Sequence, residues 1–590
     1  MQPKRRELMT MLGAGAATLL LPWPSRAQSG TQSRTQARTD IYDIGRSGNV
    51  RLLHITDTHG QTMPVHFREP SVNIGMGEAA GRPPHLVGGA FLDHFGIPAG
   101  SALAHATTYL DFQEAAHRYG RMGGYAHLAT LIARLRADAG PGNTLLLDGG
   151  DTWQGSWTAH STQGTGMVGL QNLLGVDAMT SHFEMTYGEE KFRNNLKAFK
   201  GTFLAQNVFL TDEAAFNGAE AFDADSGRVF QPYIVKEAGG RRIAVIGQCF
   251  TYRPIAHPRR FVADWTFGIR ESDLQKVVDK VRGTERADAV VLLSHNGMDV
   301  DLKLASRVRG IDLILGGHTH DALPQPTVVT NPGGKTLVTN GGSNGKFLGV
   351  IDLDVGQGRV NGVSYNLVPI FSNLLPADPA MASRVAELRQ PDEGMLGEKL
   401  ASAGELLYRR GNVAGTMDQI LCDALTQELD APIALTPGFR WGPSTLAGDT
   451  VTMEMVYAHT AISYPDVYVQ EMTGDAIKTV LEDVCDNLFN PDPYVQQGGD
   501  MVRLGGLDYV CTPSAAMGRR ISGLMLADGS LLEAGKTYKV AGWASVNLPQ
   551  GKRPVWDVVA TYLRRQGEIK PGRPGRVKLN GVDGNPGYAT

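Results

Sequence analysis

Residues 143–156, NTLLLDGGDTWQGS, contain the pattern that decides the fold. A run of three leucines ends there in a polar cluster of Asp, Gly and Thr. A short apolar run bounded by glycine is typical of a buried strand, and the polar cluster marks the end of that strand. Four further segments have the same form: VRLLHITDTHG at 50–60, RIAVIGQCF at 242–250, DAVVLLSHNG at 288–297 and IDLILGGHTHD at 311–321.

Amphipathic segments lie between these apolar runs. The clearest is GGYAHLATLIARLRADAG at 123–140, in which Leu128, Leu131 and Leu135 recur at helical spacing. Strands that alternate with helices predict an α/β domain whose functional groups gather at the strand ends. The alternation fails between residues 61 and 119, and irregular segments of that length inside a domain usually have a function.

The chain divides by composition into two large parts. Residues 49–370 follow the strand and helix alternation, residues 371–411 are predicted to be a linker helix, and residues 412–580 are predicted to be a second α/β domain. In the second domain the segments MDQILCDALTQEL and TGDAIKTVLEDVCDNL are predicted helices. The tail from about residue 570 is rich in Gly and Pro and is predicted to be loose.

Residues 1–27 have the form of an export signal peptide. Arg5 and Arg6 precede an apolar stretch that is too short to span a membrane, and small residues before residue 28 offer a cleavage site. The paired arginines predict export to the periplasm by the twin-arginine route, with a general secretory signal as the alternative. Because no long apolar run follows, no membrane anchor is predicted.

The charge of the exported chain argues against nucleic acid as a partner. Cleavage after Ala27 would remove four basic residues and one acidic residue, which takes the formal charge from −4 to −7. Proteins that bind phosphate backbones need a positive excess instead.

The four cysteines are Cys249, Cys422, Cys485 and Cys511, and their spacing matches no metal-binding pattern. In an oxidising compartment a disulfide among them is one alternative. Buried apolar thiols are the other, so the sequence leaves their state open.

Aspartate and histidine side chains stand in five polar clusters that are predicted strand ends. They are Asp57, His59, Asp151, His182, His295, His318 and His320. Carboxylate and imidazole groups gathered at one sheet edge predict a site for two divalent cations, with one carboxylate bridging the pair and three further ligands for each ion. Since neither thiolate nor thioether takes part, soft Cu(I) is disfavoured.

The order Asp-x-His, Gly-Asp, His, His and Gly-His-x-His resembles the calcineurin-like metallophosphoesterases, and the second domain narrows the resemblance to the 5′-nucleotidase group. The resemblance implies a four-layer αββα domain followed by a nucleotidase-type C-terminal α/β domain. It also implies two metal ions, with Mn²⁺ favoured, and Asp151 as the bridging ligand. One ion would take Asp57, His59 and His320, and the other would take His182, His295 and His318.

Residues 181–188, SHFEMTYG, depart from the pattern GNHEFDYG of those nucleotidases. His182 falls on the metal-binding asparagine, Phe183 on the catalytic histidine, and Thr186 on the aspartate that orients it. The resemblance therefore implies a replaced metal ligand and a missing His–Asp dyad. An enzyme without the dyad should act on a substrate whose leaving group departs easily as an anion, as thiolates and persulfides do.

One branch of the group shares several further segments. FREPSVNIG at 67–75, GRPPHLVGG at 81–89 and YGRMGGYAHLATLI at 119–132 resemble the thiosulfohydrolases of the periplasmic sulfur-oxidising pathway. The implied reaction is hydrolysis of the terminal sulfonate from a cysteine S-thiosulfonate on the SoxYZ carrier protein, by a water that the two metals activate, with release of sulfate. A periplasmic 5′-nucleotidase is the main alternative, and an inactive carrier-docking protein is another.

The second domain is expected to supply the substrate contacts. Arg440, in TPGFRWGP, matches an arginine that nucleotidases use on phosphate, and Arg503 stands near a matching later loop. Guanidinium groups suit sulfonate oxygens, whereas a solvated surface role is the alternative for each. The residues assigned to catalysis are thus Asp151, His182 and Arg440, and those assigned to substrate binding are Arg440 and Arg503.

Overall fold

The apolar runs form two six-stranded mixed sheets in the first domain of this computed structural model, which describes residues 40–547, 553–571 and 576–589. The predicted signal peptide lies outside the described residues. Strand order in the first sheet is Arg359–Pro369, Phe347–Gly356, Val50–Ile55, Thr144–Asp148, Ala178–Met179 and Thr202–Phe203. Strand order in the second sheet is Thr327–Asn331, Gly334–Asn340, Leu313–Gly316, Ala289–Ser294, Arg241–Gln248 and Tyr233–Ala238.

Helices cover both sheets of the first domain. Every residue of the central strands Val50–Ile55 and Ala289–Ser294 is buried, which is the pattern of strands covered on both faces. The larger helices are Tyr125–Ala139, Thr165–Leu174, Glu189–Ala198, Glu271–Gly283 and Met298–Arg307. The predicted αββα arrangement is confirmed, and the helix predicted at 123–140 buries its leucine face.

The central strands are parallel in both sheets. Val50–Ile55, Thr144–Asp148 and Ala178–Met179 run in one direction in the first sheet. Arg241–Gln248, Ala289–Ser294 and Leu313–Gly316 do the same in the second sheet. Since the carboxyl ends of parallel strands share an edge, the polar clusters that follow these strands meet at one place.

The second domain is an α/β unit, as predicted. Its main sheet has the order Val467–Thr473, Thr537–Trp543, Ile433–Gly438 and Asp500–Gly505. The two predicted helices are present as Thr416–Glu428 and Gly474–Phe489. Further helices are Met453–Thr460 and Val555–Gln566.

The segment predicted to be a linker helix is only partly helical. It contains the helices Pro379–Arg389 and Glu393–Leu396, but Lys399–Ala403 is a strand that pairs with strands of the second domain. Leu400 and Ala403 are buried there, so the second domain includes residues that precede its predicted start at 412. The helical composition of the segment concealed this short strand.

The prediction of a loose C-terminal tail is wrong for residues 576–589. Val577–Leu579 adds a parallel strand to Leu507–Cys511, and Val582 is buried. Further on, the backbone of Tyr588 bridges to Val72 in the irregular segment 61–119. Pairing with segments distant in the chain fixes a tail whose own composition lacks any strand pattern.

The irregular segment 61–119 is ordered and contacts the second domain. Its helices Gly88–Phe95 and Ala102–Thr107 share a small apolar core, whereas the helix Phe112–Tyr119 packs against Leu446 of the second domain. The amide of Ser444 donates to the carbonyl of His66 at 2.6 Å. The segment therefore braces the second-domain loop that carries Arg440.

The four cysteines are buried and free, which matches the alternative of buried thiols. The sulfurs of Cys485 and Cys511 lie 3.6 Å apart in the core of the second domain. Within the described ranges, no helix is both long enough and apolar enough to cross a membrane.

Candidate dimetal site

The strand ends bring the seven predicted ligands together in two buried groups. The ligand atoms of each group all lie within 4.8 Å of one another. One group is Asp151, His182, His295 and His318, and the other is Asp57, His59, Asp151 and His320. Asp151 belongs to both groups, so its position is that of a bridging ligand.

One oxygen of Asp151 stands at the centre of the site. Its Oδ2 lies 3.0 Å from His182 Nδ1, 3.2 Å from His295 Nε2 and 3.8 Å from His59 Nε2. Its Oδ1 is turned away and accepts the backbone N–H of Phe183 at 2.8 Å. The hydrogen bond to Phe183 thus orients the carboxylate toward both groups.

Five of the seven ligands have left-handed backbone conformations, which only a few per cent of non-glycine residues adopt. They are Asp57 at φ 50°, His59 at 47°, Asp151 at 57°, His318 at 71° and His320 at 61°. Backbone hydrogen bonds hold these turns, including Asp57 to Gly150 and His59 to Asp151, each at 2.8 Å. Strain of this kind, fixed by its surroundings, is typical of functional sites.

Three ligand imidazoles have the tautomer that metal binding requires. The Nδ1–H of His59 donates to the carbonyl of Gln154 at 3.2 Å, and that of His295 donates to Gly149 at 2.6 Å. The Nε2–H of His318 donates to the carbonyl of Gln497 at 3.0 Å. Since a carbonyl can only accept, the second nitrogen of each ring keeps its lone pair for a metal ion.

The electrostatics of the site also favour cations. Burial raises the pKa of Asp151, but His182 and His295 outweigh burial and hold that pKa well below its usual range. Burial lowers the pKa of His182 and His318 well below the usual value, so both rings are neutral, the form that binds metal. His295 differs, because Asp151 and Asp57 outweigh burial and raise its pKa to about 9, so this ring must release a proton when a metal ion binds. Carboxylates and imidazoles together form a buried donor set that fits two divalent ions of the Mn, Fe, Co, Ni or Zn type.

A cavity of about 260 Å³ opens above the two groups. Its floor is formed by five of the seven ligands, and its walls by Phe250 and His257 of the first domain and by residues 437–441 of the second. The Trp441 ring stacks on His59 at 4.8 Å, and Phe439 stacks on Trp441 at 4.3 Å. The cavity is therefore polar at its floor and aromatic along its walls.

Phe183 and Thr186 are the two residues that replace the His–Asp dyad of the nucleotidase pattern. The side chain of Phe183 is apolar, and the hydroxyl of Thr186 makes its hydrogen bonds within the protein. The Phe183 ring lines the cavity, with its edge toward Trp441 at 5.2 Å and His257 at 4.6 Å. The Thr186 hydroxyl contacts the side-chain oxygen of Gln154 and the carbonyl of Phe183. Neither side chain can transfer a proton to a bound substrate.

The two predicted arginines lie in different places. Arg440 lines the cavity, and its guanidinium donates to the carbonyls of His318 and Gly499, each at 2.9 Å. Arg503 is not among the described residues that line the cavity. It is buried between Asp418 and Asp500, with both N···O distances 3.1 Å. The structure thus brings Arg440 to the ligands and places Arg503 in an ion-pair network behind the wall.

Sequence reasoning missed His257, which lines the cavity beside the ligands. Its Nε2 lies 2.7 Å from Nε2 of His182, and its Nδ1 lies 3.1 Å from the hydroxyl of Tyr464. His257 follows the short helix Arg253–Ala256 rather than a strand end, so no local pattern marked it. Only the fold brings it to the site.

Comparison with known proteins agrees with this site. Residues 50–322 match the calcineurin-like phosphoesterase family, and residues 402–548 match the 5′-nucleotidase C-terminal domain. The sulfate thiohydrolase SoxB of Thermus thermophilus has a similar structure, with a TM-score of 0.85 and 36% identity over 92% of this chain and 98% of that chain. The chain belongs to the SoxB family. It is thus a metallophosphoesterase-type hydrolase with a candidate dimetal site.

More distant relatives of this SoxB family member are nucleotidases. The rat 5′-nucleotidase is 24% identical over 515 residues, which cover 78% of this chain and 85% of that protein. The trifunctional nucleotide phosphoesterase YfkN of Bacillus subtilis is 24% identical over 457 residues, or 70% of this chain. The match spans only 30% of YfkN, so it concerns one part of that longer protein.

We expect close to two transition-metal ions per chain in protein purified without chelators, because the two donor groups share Asp151 and are both complete. Elemental analysis by mass spectrometry measures this ratio. Dialysis against a chelator should remove the ions and the hydrolase activity together, and adding Mn²⁺ should restore both. Activity that persists at a small fraction of one ion per chain would contradict the expectation.

Proposed function

We propose that the chain hydrolyses a cysteine S-thiosulfonate on the SoxYZ carrier protein. Water attacks the terminal sulfonate sulfur, the S–S bond to that sulfur breaks, and sulfate is released with the loss of protons to solvent. The electron pair of the broken bond stays on the carrier as a persulfide. The observation that carries the proposal is the complete ligand set beside Phe183, at the position where the nucleotidase pattern has a catalytic histidine.

Two divalent cations, when bound by these residues, would lower the pKa of the attacking water and neutralise charge on the oxygens of the reacting group. The chain's contribution is to hold the donors at fixed distances. Asp151 serves both groups, and backbone carbonyls fix the rings of His59, His295 and His318. Mn²⁺ remains the proposed metal, since a set of imidazole and carboxylate ligands accepts it.

Arg440 is proposed to orient the sulfonate. Its guanidinium is held at the cavity wall by two backbone carbonyls, so its positive charge is fixed close to the ligands. A fixed guanidinium attracts sulfonate oxygens without first losing side-chain freedom. Arg503, with its charge already balanced by two carboxylates, is proposed to act on the substrate only through the wall it supports.

The aromatic walls suit a sulfur-rich substrate. Phe183, Phe439 and Trp441 present ring faces and edges to the cavity, and sulfur makes favourable contacts with aromatic rings. A persulfide departs as a stable anion, so a proton donor at residue 183 is unnecessary. The missing dyad is therefore consistent with a thiosulfonate and inconsistent with efficient departure of a sugar alkoxide.

A 5′-nucleotidase remains the alternative, and it requires an aromatic residue that stacks on a base. The second domain offers two candidates, Phe439 and Tyr509, but Tyr509 is buried in its core, away from the cavity lining. Phe439 lines the cavity, but its ring is already stacked on Trp441. The burial of Tyr509 therefore favours the thiosulfonate, whereas Phe439, which keeps a second ring face, does not separate the two substrates.

The test compares two substrates with one preparation of the metal-loaded protein. We expect sulfate release from thiosulfonate-loaded carrier, measured by ion chromatography, and at most slow phosphate release from AMP. The chelated protein is the control for both substrates. Rapid hydrolysis of AMP without sulfate from the carrier would support the nucleotidase instead, and metal binding without either product would support an inactive docking protein.

We also propose that the protein acts in the periplasm after twin-arginine export. Replacing Arg5 and Arg6 together with lysine should leave the precursor in the cytoplasm, because that export route depends on the arginine pair. Cell fractionation and immunoblotting measure the distribution. Normal periplasmic arrival of the double variant would indicate the general secretory route.

A further inference from the structure

The outer nitrogen of His182 has an unusual partner for a metal ligand. His59, His295 and His318 each donate their outer N–H to a backbone carbonyl, which can only accept. The outer Nε2 of His182 instead meets another imidazole nitrogen, Nε2 of His257, at 2.7 Å. An imidazole nitrogen can donate or accept, so this contact alone does not determine which nitrogen of His182 carries the proton.

Tyr464 is the third residue in this series of hydrogen-bonded side chains. Its hydroxyl lies 3.1 Å from Nδ1 of His257, and both side chains are buried. Tyr464 belongs to the apolar core of the second domain, whereas His182 follows a strand of the first. The row His182–His257–Tyr464 therefore links the second domain to a ligand of the first.

This row has two arrangements of its protons. In one, the Tyr464 hydroxyl donates to His257, His257 donates to His182, and Nδ1 of His182 carries a proton toward Asp151, 3.0 Å away. In the other, His182 donates to His257, and His257 donates to the Tyr464 oxygen. Only the second arrangement leaves the lone pair on Nδ1 of His182, the nitrogen that faces the shared carboxylate.

We propose that His257, held by Tyr464, is a positioning residue that fixes His182 in the tautomer required for metal binding. The inference rests on the dimetal site of the proposed function. His257 would do for His182 what backbone carbonyls do for His59, His295 and His318. Outer partners of this kind usually change metal affinity by about 10- to 100-fold when removed.

The Phe183 ring helps to keep His257 in place. It meets His257 edge-on at 4.6 Å and also contacts His182 at 4.5 Å. A phenylalanine there fills the space beside both imidazoles and offers no competing hydrogen bond. Phe183 thus has a second role. Because it cannot accept a hydrogen bond, His257 remains the acceptor for the outer N–H of His182.

The test is titration of the metal-free protein with Mn²⁺, in which isothermal titration calorimetry measures the affinity for each ion. In His257→Phe we expect one ion to bind as in the wild type and the other about 10- to 100-fold more weakly. His257→Gln should restore most of the affinity, because its side-chain oxygen can accept from His182. His160→Phe, at a half-buried histidine outside the cavity lining, is the matched control and should bind both ions normally.

A second variant tests the same inference if His257→Phe does not fold. Tyr464→Phe keeps the buried ring, and it should weaken the same ion because His257 can then turn its proton toward His182. Unchanged affinity for both ions in folded His257→Phe, or in Tyr464→Phe if the former does not fold, would overturn the inference. A wild type that binds fewer than two ions would instead refute the dimetal site on which the proposed function rests.

Discussion

His182→Ala should bind one metal ion per chain instead of two and should lose nearly all hydrolase activity. His182 belongs to only one of the two ligand groups, so the group formed with Asp57, His59 and His320 remains complete. Loss of one preorganised charge-stabilising group typically lowers turnover by roughly 10²- to 10³-fold, and loss of a whole ion should lower it at least that much. Elemental analysis and sulfate release measure the two effects.

The matched control for this variant is His182→Asn. An asparagine oxygen stands at this position in the nucleotidase pattern, so the variant should keep more of the second ion and more activity than His182→Ala. Circular dichroism should show the same fold in both variants, since the strand ends are held by other hydrogen bonds. Equal metal content in wild type and His182→Ala would show that His182 is not a ligand.

Asp151→Asn should lose affinity for both ions. Asp151 is the one residue shared by the two groups, and its Oδ2 lies within 3.8 Å of imidazole nitrogens from each. The amide keeps the shape of the side chain but removes the negative charge that offsets two cations. We expect less than one tightly bound ion per chain and activity at background.

The contrast between the two variants is the informative measurement. Loss of one ion in His182→Ala and of both in Asp151→Asn would establish which side chain is shared. Two tightly bound ions in Asp151→Asn would contradict a bridging role. The same ratios should be seen with Mn²⁺ and Zn²⁺, because they follow from the donor set rather than from the metal.

The sequence allowed much of the first domain and its ligand groups to be predicted, for a definite physical reason. A buried strand is an apolar run, and its end is a polar cluster. The strand ends that carry Asp57, Asp151 and His318 can therefore be located from the sequence. Parallel strands then place those ends at one edge. The same reasoning needed no knowledge of side-chain rotamers.

What the sequence concealed depends on contacts between distant segments. His257 reaches His182 only because a short loop helix and the second domain close over the ligands. Arg440 and Arg503 are the same residue type in similar loops, yet the first faces the cavity and the second is held by Asp418 and Asp500. Both arginines are buried and both lie near Asp500, so the difference is their position relative to the cavity, which the local sequence does not encode.

The most direct test of the proposed reaction is hydrolysis of thiosulfonate-loaded carrier in water enriched in ¹⁸O, followed by mass spectrometry of both products. Attack on the terminal sulfur predicts sulfate that contains one solvent oxygen and a carrier cysteine that retains one additional sulfur atom. Asp151→Asn should give neither product. Release of thiosulfate, with the carrier cysteine left as a sulfenic acid that carries the solvent oxygen, would place the cleavage at the other S–S bond and contradict the proposed reaction.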